Sequence, residues 1–123
     1  MKIIIISGPS GSGKTELSKR LSVILKNPFI ISTDNFYKTG LISKIISRLI
    51  KGYFDKTISH NKKNFTKEVL YILKNKKSNH YFLYNFITKR RQRVNKEVLN
   101  IRNLIIEGIF VTDLLEKVSN FDY

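Results

Sequence analysis

Along this 123-residue chain the apolar positions fall into short continuous runs and into stripes at helical spacing. Residues 2–6, Lys-Ile-Ile-Ile-Ile, are β-branched without alternation, the pattern of a strand buried on both faces of a parallel sheet. Leu17, Leu21, Ile24 and Leu25 then recur at i, i+4, i+7 and i+8 with Lys19, Arg20 and Lys26 off the stripe, which predicts a helix ended by Asn27-Pro28. Residues 29–32 read as a second short strand, so the chain opens with a βαβ unit whose crossover should be right-handed. Leu41, Ile42, Ile45, Ile46, Leu49 and Ile50 predict an amphipathic helix over 41–51 that Gly52 can cap, followed by a polar loop over 53–64. A helix over 65–74, with Asn64 as its N-cap, leads through a polar turn into an aromatic-rich strand over 80–86. Residues 89–102 are polar and basic, anchored only by Val94, Val98, Leu99 and Ile101. Residues 104–108 form another strand of the buried type, and 113–118 a short helix with Glu116 closing a capping box. The alternation of strand and helix predicts a three-layer α/β/α fold around a parallel sheet, one domain over 1–123 with a basic insertion at about 38–102.

Composition narrows the class. There are no cysteines, which excludes disulfide scaffolds and thiolate metal sites, and no run approaches the ~20 apolar residues of a membrane span. The first apolar run is too short for a signal peptide, and a cytoplasmic location is the default. The net charge of +14 is concentrated in the middle, where residues 38–102 carry 17 basic against 3 acidic side chains. A polyanion partner is one reading of that excess. The plainer one is composition: Ile, Lys and Asn dominate the chain, as an AT-rich gene would dictate, and 17 of the 23 basic residues are Lys rather than Arg, so nucleic acid is not the expected partner.

The chemistry-bearing motif is Gly8-Pro9-Ser10-Gly11-Ser12-Gly13-Lys14-Thr15, which fits G-x-x-x-x-G-K-[ST], the phosphate loop. Gly8, Ser10, Gly11, Ser12 and Gly13 can turn consecutive N–H groups around a phosphate chain, and side chains at Gly8 and Gly13 would obstruct that path. Lys14 supplies a mobile cation to the β- and γ-phosphates, and the Thr15 hydroxyl is placed to ligate Mg²⁺. Lying between the first strand and the first helix, the motif predicts binding of ATP or GTP. Asp34, after the second strand, opens onto the same crevice, where it can accept a proton from an attacking hydroxyl, help to hold Mg²⁺, or merely cap a turn. Glu107 ends the strand at 104–106 on the same side and is a further metal-linked or structural carboxylate. Tyr53-Phe54-Asp55 and Tyr84-Asn85-Phe86 have the composition of a pocket that sandwiches a flat ring, or of ordinary core. The run Lys89-Arg90-Arg91-Gln92-Arg93 reads as a solvated charged face or a nucleic-acid contact. His60 and His80 have no partners at metal-ligand spacing.

In combination these pieces resemble the uridine kinase family, relatives of phosphoribulokinase among the P-loop kinases. The matching stretches are Gly8 to Thr15; Ser32-Thr33-Asp34-Asn35-Phe36-Tyr37-Lys38; Tyr53-Phe54-Asp55; Tyr84-Asn85-Phe86 with Arg91; and Ile105-Ile106-Glu107-Gly108-Ile109. The resemblance implies a P-loop NTPase fold and Mg²⁺-dependent phosphoryl transfer from ATP or GTP to a nucleoside 5′-hydroxyl. It makes Asp34 the base with Lys14 beside it, assigns Mg²⁺ to Thr15, Glu107 and Asp34, and gives Asp55 the ribose hydroxyls. Tyr37, Phe54, Tyr84 and Phe86 would frame the base, with Lys89 and Arg91 nearby. Lys56-Thr57 stands in place of the family's His-Pro, Asn85 in place of an Asp, and Lys89 in place of a base-reading His, so the acceptor preference is open between uridine, cytidine, another hydroxyl compound and a phosphorylated one. The resemblance reaches only about three fifths of a family member, which implies a fold incomplete at its C-terminus, without the arginine-rich lid and with the first strand left as a bare edge. A nucleotide binder without turnover and a basic nucleic-acid binder are the alternatives, and homo-oligomerisation is open.

Overall fold

The computed structural model describes residues 1–36, 61–85, 87–88, 90–109, 111–113 and 115; the helix expected over 41–51, its Gly52 cap, residues 53–60 of the polar loop and Glu116 lie outside them. In chain order the elements are β1 (Lys2–Ser7), α1 (Lys14–Ile24), β2 (Pro28–Ser32), a 3₁₀ turn η1 (Thr33–Phe36), α2 (Lys62–Asn75), β3 (Ser78–Asn85), β4 (Arg90–Val98) and β5 (Asn103–Gly108). Three strands form a parallel sheet in the order β1-β5-β2, and β3 pairs antiparallel with β4 in a separate hairpin.

β5 is the centre of the sheet, and all six of its residues are buried. Its register sets Leu104 and Ile106 beside Phe29 and Ile31 of β2 and beside Ile3 and Ile5 of β1. Phe65, Val69 and Ile72 of α2 close over the β2 and β5 part of this face, and with Phe36, Ile101 and Val111 they make the core. No α1 residue belongs to that cluster, so α1, which contacts all three strands, occupies the opposite face. Two helical layers around a parallel sheet are the predicted class.

The expectation that residues 2–6 are buried on both faces is corrected. Ile3 and Ile5 are 41% and 50% exposed, because β1 is an edge strand and α2 does not extend over it. A continuous apolar run identifies such a strand but does not say whether both of its flanks are filled, and here the doubly buried strand is β5. The α1 stripe is corrected too. Leu17 and Ile24 are exposed while Leu21 and Leu25 are half-buried, the helix ends at Ile24, and its one buried residue is Ser18, a small side chain that lets the helix backbone approach the sheet and returns a hydrogen bond to the Lys14 carbonyl at 2.9 Å.

α2 begins at Lys62, three residues before the expected start, and its N-cap is Asn61 rather than Asn64: the Asn61 side chain accepts from the Asn64 N–H at 3.1 Å. The turn after α2 is made by Lys76 in the left-handed conformation. The basic segment after residue 89 is a nine-residue strand, held by its pairing to β3 and turning Arg91, Val94 and Val98 partly inward. Residues 111–113 are already helical, so the C-terminal helical segment starts before Asp113.

Candidate active site

The carboxyl ends of the three parallel strands lie side by side. The phosphate loop leaves β1, Asp34 follows β2, and Glu107 sits near the end of β5 in register with Ile6 on one side and Ser32 on the other. Gly11 and Gly13 adopt φ of +77° and +87°, which side chains rarely tolerate, and Gly13 is the N-cap of α1, whose first turn starts with Lys14. Ser12 N–H donates to the Pro9 carbonyl at 3.3 Å, closing the turn, and Lys14 Nζ donates to the same carbonyl at 2.8 Å. Lys14 is therefore folded over its own loop, and an incoming phosphate competes with one carbonyl for it. Thr15 is exposed at the start of α1, and Ser10 is exposed in the loop.

Asp34 and Glu107 are the acidic part of the site. Glu107 is 3% exposed and its Oε2 has no hydrogen-bond partner; Asp34 Oδ1 is likewise buried and unpartnered. Burial, and then the neighbouring Glu107 carboxylate, push the Asp34 carboxyl above its ordinary 3.8, against the opposing pull of the Lys14 ammonium. Two buried carboxylate oxygens that lack donors, on the neighbouring Asp34 and Glu107, are hard-oxygen donors of the kind that suits Mg²⁺, and Thr15 can add a hydroxyl. Among the described residues no group of three or more His or acidic side chains forms a metal cluster, so Asp34 and Glu107 are two carboxylates and not part of a larger acidic set.

Two residues that sequence reading passed over hold this geometry. A Cβ on Gly108 would fall inside the Thr33 side chain, on its Oγ1, so Gly108 is glycine because β2 and β5 close together there. Gly108 in turn accepts from the Gly8 N–H at 3.4 Å, so the β5 terminus lies between the phosphate loop and Asp34. The sequence signal was the glycine of Glu107-Gly108, read as a motif letter and not as a space.

Of the expected acceptor residues, Tyr37, Phe54, Asp55, Phe86 and Lys89 lie outside the described residues. Tyr84 is placed in β3 opposite Arg91. The Arg91 guanidinium stacks 4.7 Å above the Phe82 ring, and Phe82 meets Phe36 edge to face with centroids 5.8 Å apart. The hairpin is thereby tied to η1, the turn that carries Asp34. His80, unassigned by spacing, bonds to Glu68 of α2 at 2.9 Å.

The profile of the phosphoribulokinase / uridine kinase family matches residues 3–121. A uridine kinase of Borrelia hermsii is 33% identical over 120 residues, covering 98% of this chain and 56% of its own length. One from Borreliella burgdorferi is 34% identical over 122 residues, covering 97% and 56%. A solved structure described as a possible uridine kinase from Bacillus stearothermophilus superposes with a TM-score of 0.65 at 22% identity, over 89% of this chain and 61% of that one, a likeness of fold. The chain thus spans little more than half the length of the uridine kinases it matches. With the phosphate loop, Asp34 and Glu107 assembled at adjacent strand ends and this match across nearly all its residues, the chain belongs to the phosphoribulokinase / uridine kinase family.

Proposed function

We propose that the chain forms the donor-binding and acceptor-activating part of a nucleoside kinase, one domain over 1–123 with the basic segment at about 38–102 on the acceptor side, transferring the γ-phosphoryl group of ATP, or of GTP, to the 5′-hydroxyl of uridine or cytidine. The observation that carries this reading is the meeting, at three neighbouring strand ends, of a cationic phosphate loop with two buried carboxylates that have unpartnered oxygens. The N–H groups of Gly11 to Thr15 and the N-terminal end of α1 hold the β- and γ-phosphates, with Lys14 leaving the Pro9 carbonyl to join them. Asp34 takes the proton of the 5′-hydroxyl. The freed oxygen forms the bond to the γ-phosphorus while the bond to the β-bridging oxygen breaks, and the nucleoside diphosphate leaves. An Asp carboxyl pushed upward by burial is a better proton acceptor than an ordinary one. Thr15, Glu107 and Asp34 would hold Mg²⁺, which when bound neutralises the charge of the phosphates. Tyr37, Phe54, Asp55, Tyr84, Phe86, Lys89 and Arg91 belong in this reading to the nucleoside side.

Incubation with labelled ATP, Mg²⁺ and uridine or cytidine should yield UMP or CMP, and Lys14→Ala should abolish both product and nucleotide binding. The coverage of 56% of the relatives' length favours one second reading, a nucleotide binder without turnover. ATP binding with no UMP or CMP would select it, and ATP affinity unchanged by Lys14→Ala would reject both.

A further inference from the structure

The β3–β4 hairpin turns one face toward α2. Its register sets Phe82 opposite Arg93, and residues directly opposed across an antiparallel pair share a face. Between this face and α2 lies a cleft of about 380 Å³, lined by Asn64, Lys67, Glu68 and Tyr71 from α2, by Asn79, His80 and Phe82 from β3, and by Arg93 from β4. No residue of the phosphate loop lines it.

The hydrogen bonds of the cleft are unusual for a cationic surface. Arg93 Nη2 lies 3.2 Å from His80 Nδ1, and an arginine can only donate. His80 Nδ1 therefore accepts, and the ring proton sits on Nε2, donated to Glu68 Oε1 at 2.9 Å. The Arg91 guanidinium is held flat on Phe82 and, with the Asn64 amide turned to suit its neighbours, donates to the Asn64 oxygen at 2.9 and 3.2 Å. Both arginines are thus positioned by a ring, an amide and an imidazole, and among the described residues neither has a carboxylate partner. Of the cations, Arg93 and Lys67, which is exposed on the rim, line the cleft, against Glu68, whose Oε1 already accepts from His80. A planar cation fixed in place without a carboxylate partner, beside a mobile one, is what a phosphate group needs for fork-like hydrogen bonding.

We propose that the cleft between α2 and the hairpin is a second anion site, separate from the phosphate loop, that binds a small phosphate-bearing ligand, with the phosphoryl group between Lys67 and Arg93 and the rest of the ligand against Tyr71 and Phe82. A concave volume of about 380 Å³ is the size of a small-ligand pocket, whereas a single-stranded nucleic acid uses an open groove of stacked rings. Through the contact of Phe82 with Phe36, a ligand here presses on the turn that carries Asp34.

Titration of the full chain with pyrophosphate, AMP and UMP, followed by backbone amide shifts at roughly 0.15 M salt, tests the site in a Lys14→Ala background, which removes the phosphate-loop contribution. Saturable binding of at least one probe, with shifts at residues 67, 71, 79 and 93, is expected. Arg93→Gln and Lys67→Gln should each weaken it at least about tenfold, while Lys19→Gln, exposed on α1, should leave it unchanged. Because Lys67 is exposed, Lys67→Gln decides the matter should Arg93→Gln disturb the hairpin. Equal losses in all three variants, complete loss of binding in Lys14→Ala alone, or affinity confined to an RNA oligonucleotide would overturn the proposal. The outcome is independent of whether the chain transfers phosphate.

Discussion

Asp34 is held in a state that costs the empty protein stability. Its carboxyl is raised above the ordinary 3.8 by burial and by Glu107, so the folded chain binds that proton more tightly than the unfolded chain does. The charged form therefore opposes folding, and the penalty grows as pH rises from the unfolded value through the folded one, then stays constant. Asp34→Asn should accordingly raise the midpoint of thermal unfolding at pH 7 and lose that advantage progressively below the folded pKa, as scanning calorimetry across pH would record. The same change should cut phosphoryl transfer by at least about 10²-fold, the usual contribution of a positioned general base. A variant neither more stable nor less active would remove Asp34 from the site.

At the scale of elements, the junction of β2 and β5 sets how far the phosphate loop stands from Asp34. Gly108→Ala drives a methyl group into Thr33 and should destabilise the fold by about 1–3 kcal/mol while lowering turnover or Mn²⁺ affinity. Adding Thr33→Ala should restore a large part of both, since two residues in contact are not additive; denaturant melts and Mn²⁺ titrations of the single and double variants measure the coupling. This contact also marks where sequence reading stops. The positions of the phosphate loop, Asp34 and Glu107 were legible because the first two come just after their strands and Glu107 near the end of its own, each within a contiguous stretch of residue types. Thr33 against Gly108 and Glu68 against His80 were not, because those partners are 75 and 12 residues apart and nothing in their local spacing pairs them. The strands themselves were legible from β-branched runs. The exposure of Ile3 and Ile5 was not a property of the run, since it depends on what packs across the sheet. Nor did the polarity of residues 90–98 disclose a strand, because β4 is stabilised chiefly by pairing with β3.

For the whole molecule, the surface feature with the plainest consequence is the outer edge of β1, paired among the described residues on one side only and carrying two exposed isoleucines on the face that α2 leaves uncovered. Such an edge templates further strands, and self-repulsion from a net charge of +14 opposes this least at high salt. Sedimentation of the chain should show association that increases with concentration and salt, and Ile5→Lys should reduce it without changing ATP affinity. A wild-type chain that stays monomeric under those conditions would count against the edge as the cause.

The Asn61 N–H donates to the Phe36 carbonyl, so the residues that bracket positions 37–60 are fastened to each other. Joining those two points costs about the same whatever lies between them, because closure entropy grows only with the logarithm of length. A change in the number of residues between positions 36 and 61 therefore alters that closing cost only slightly.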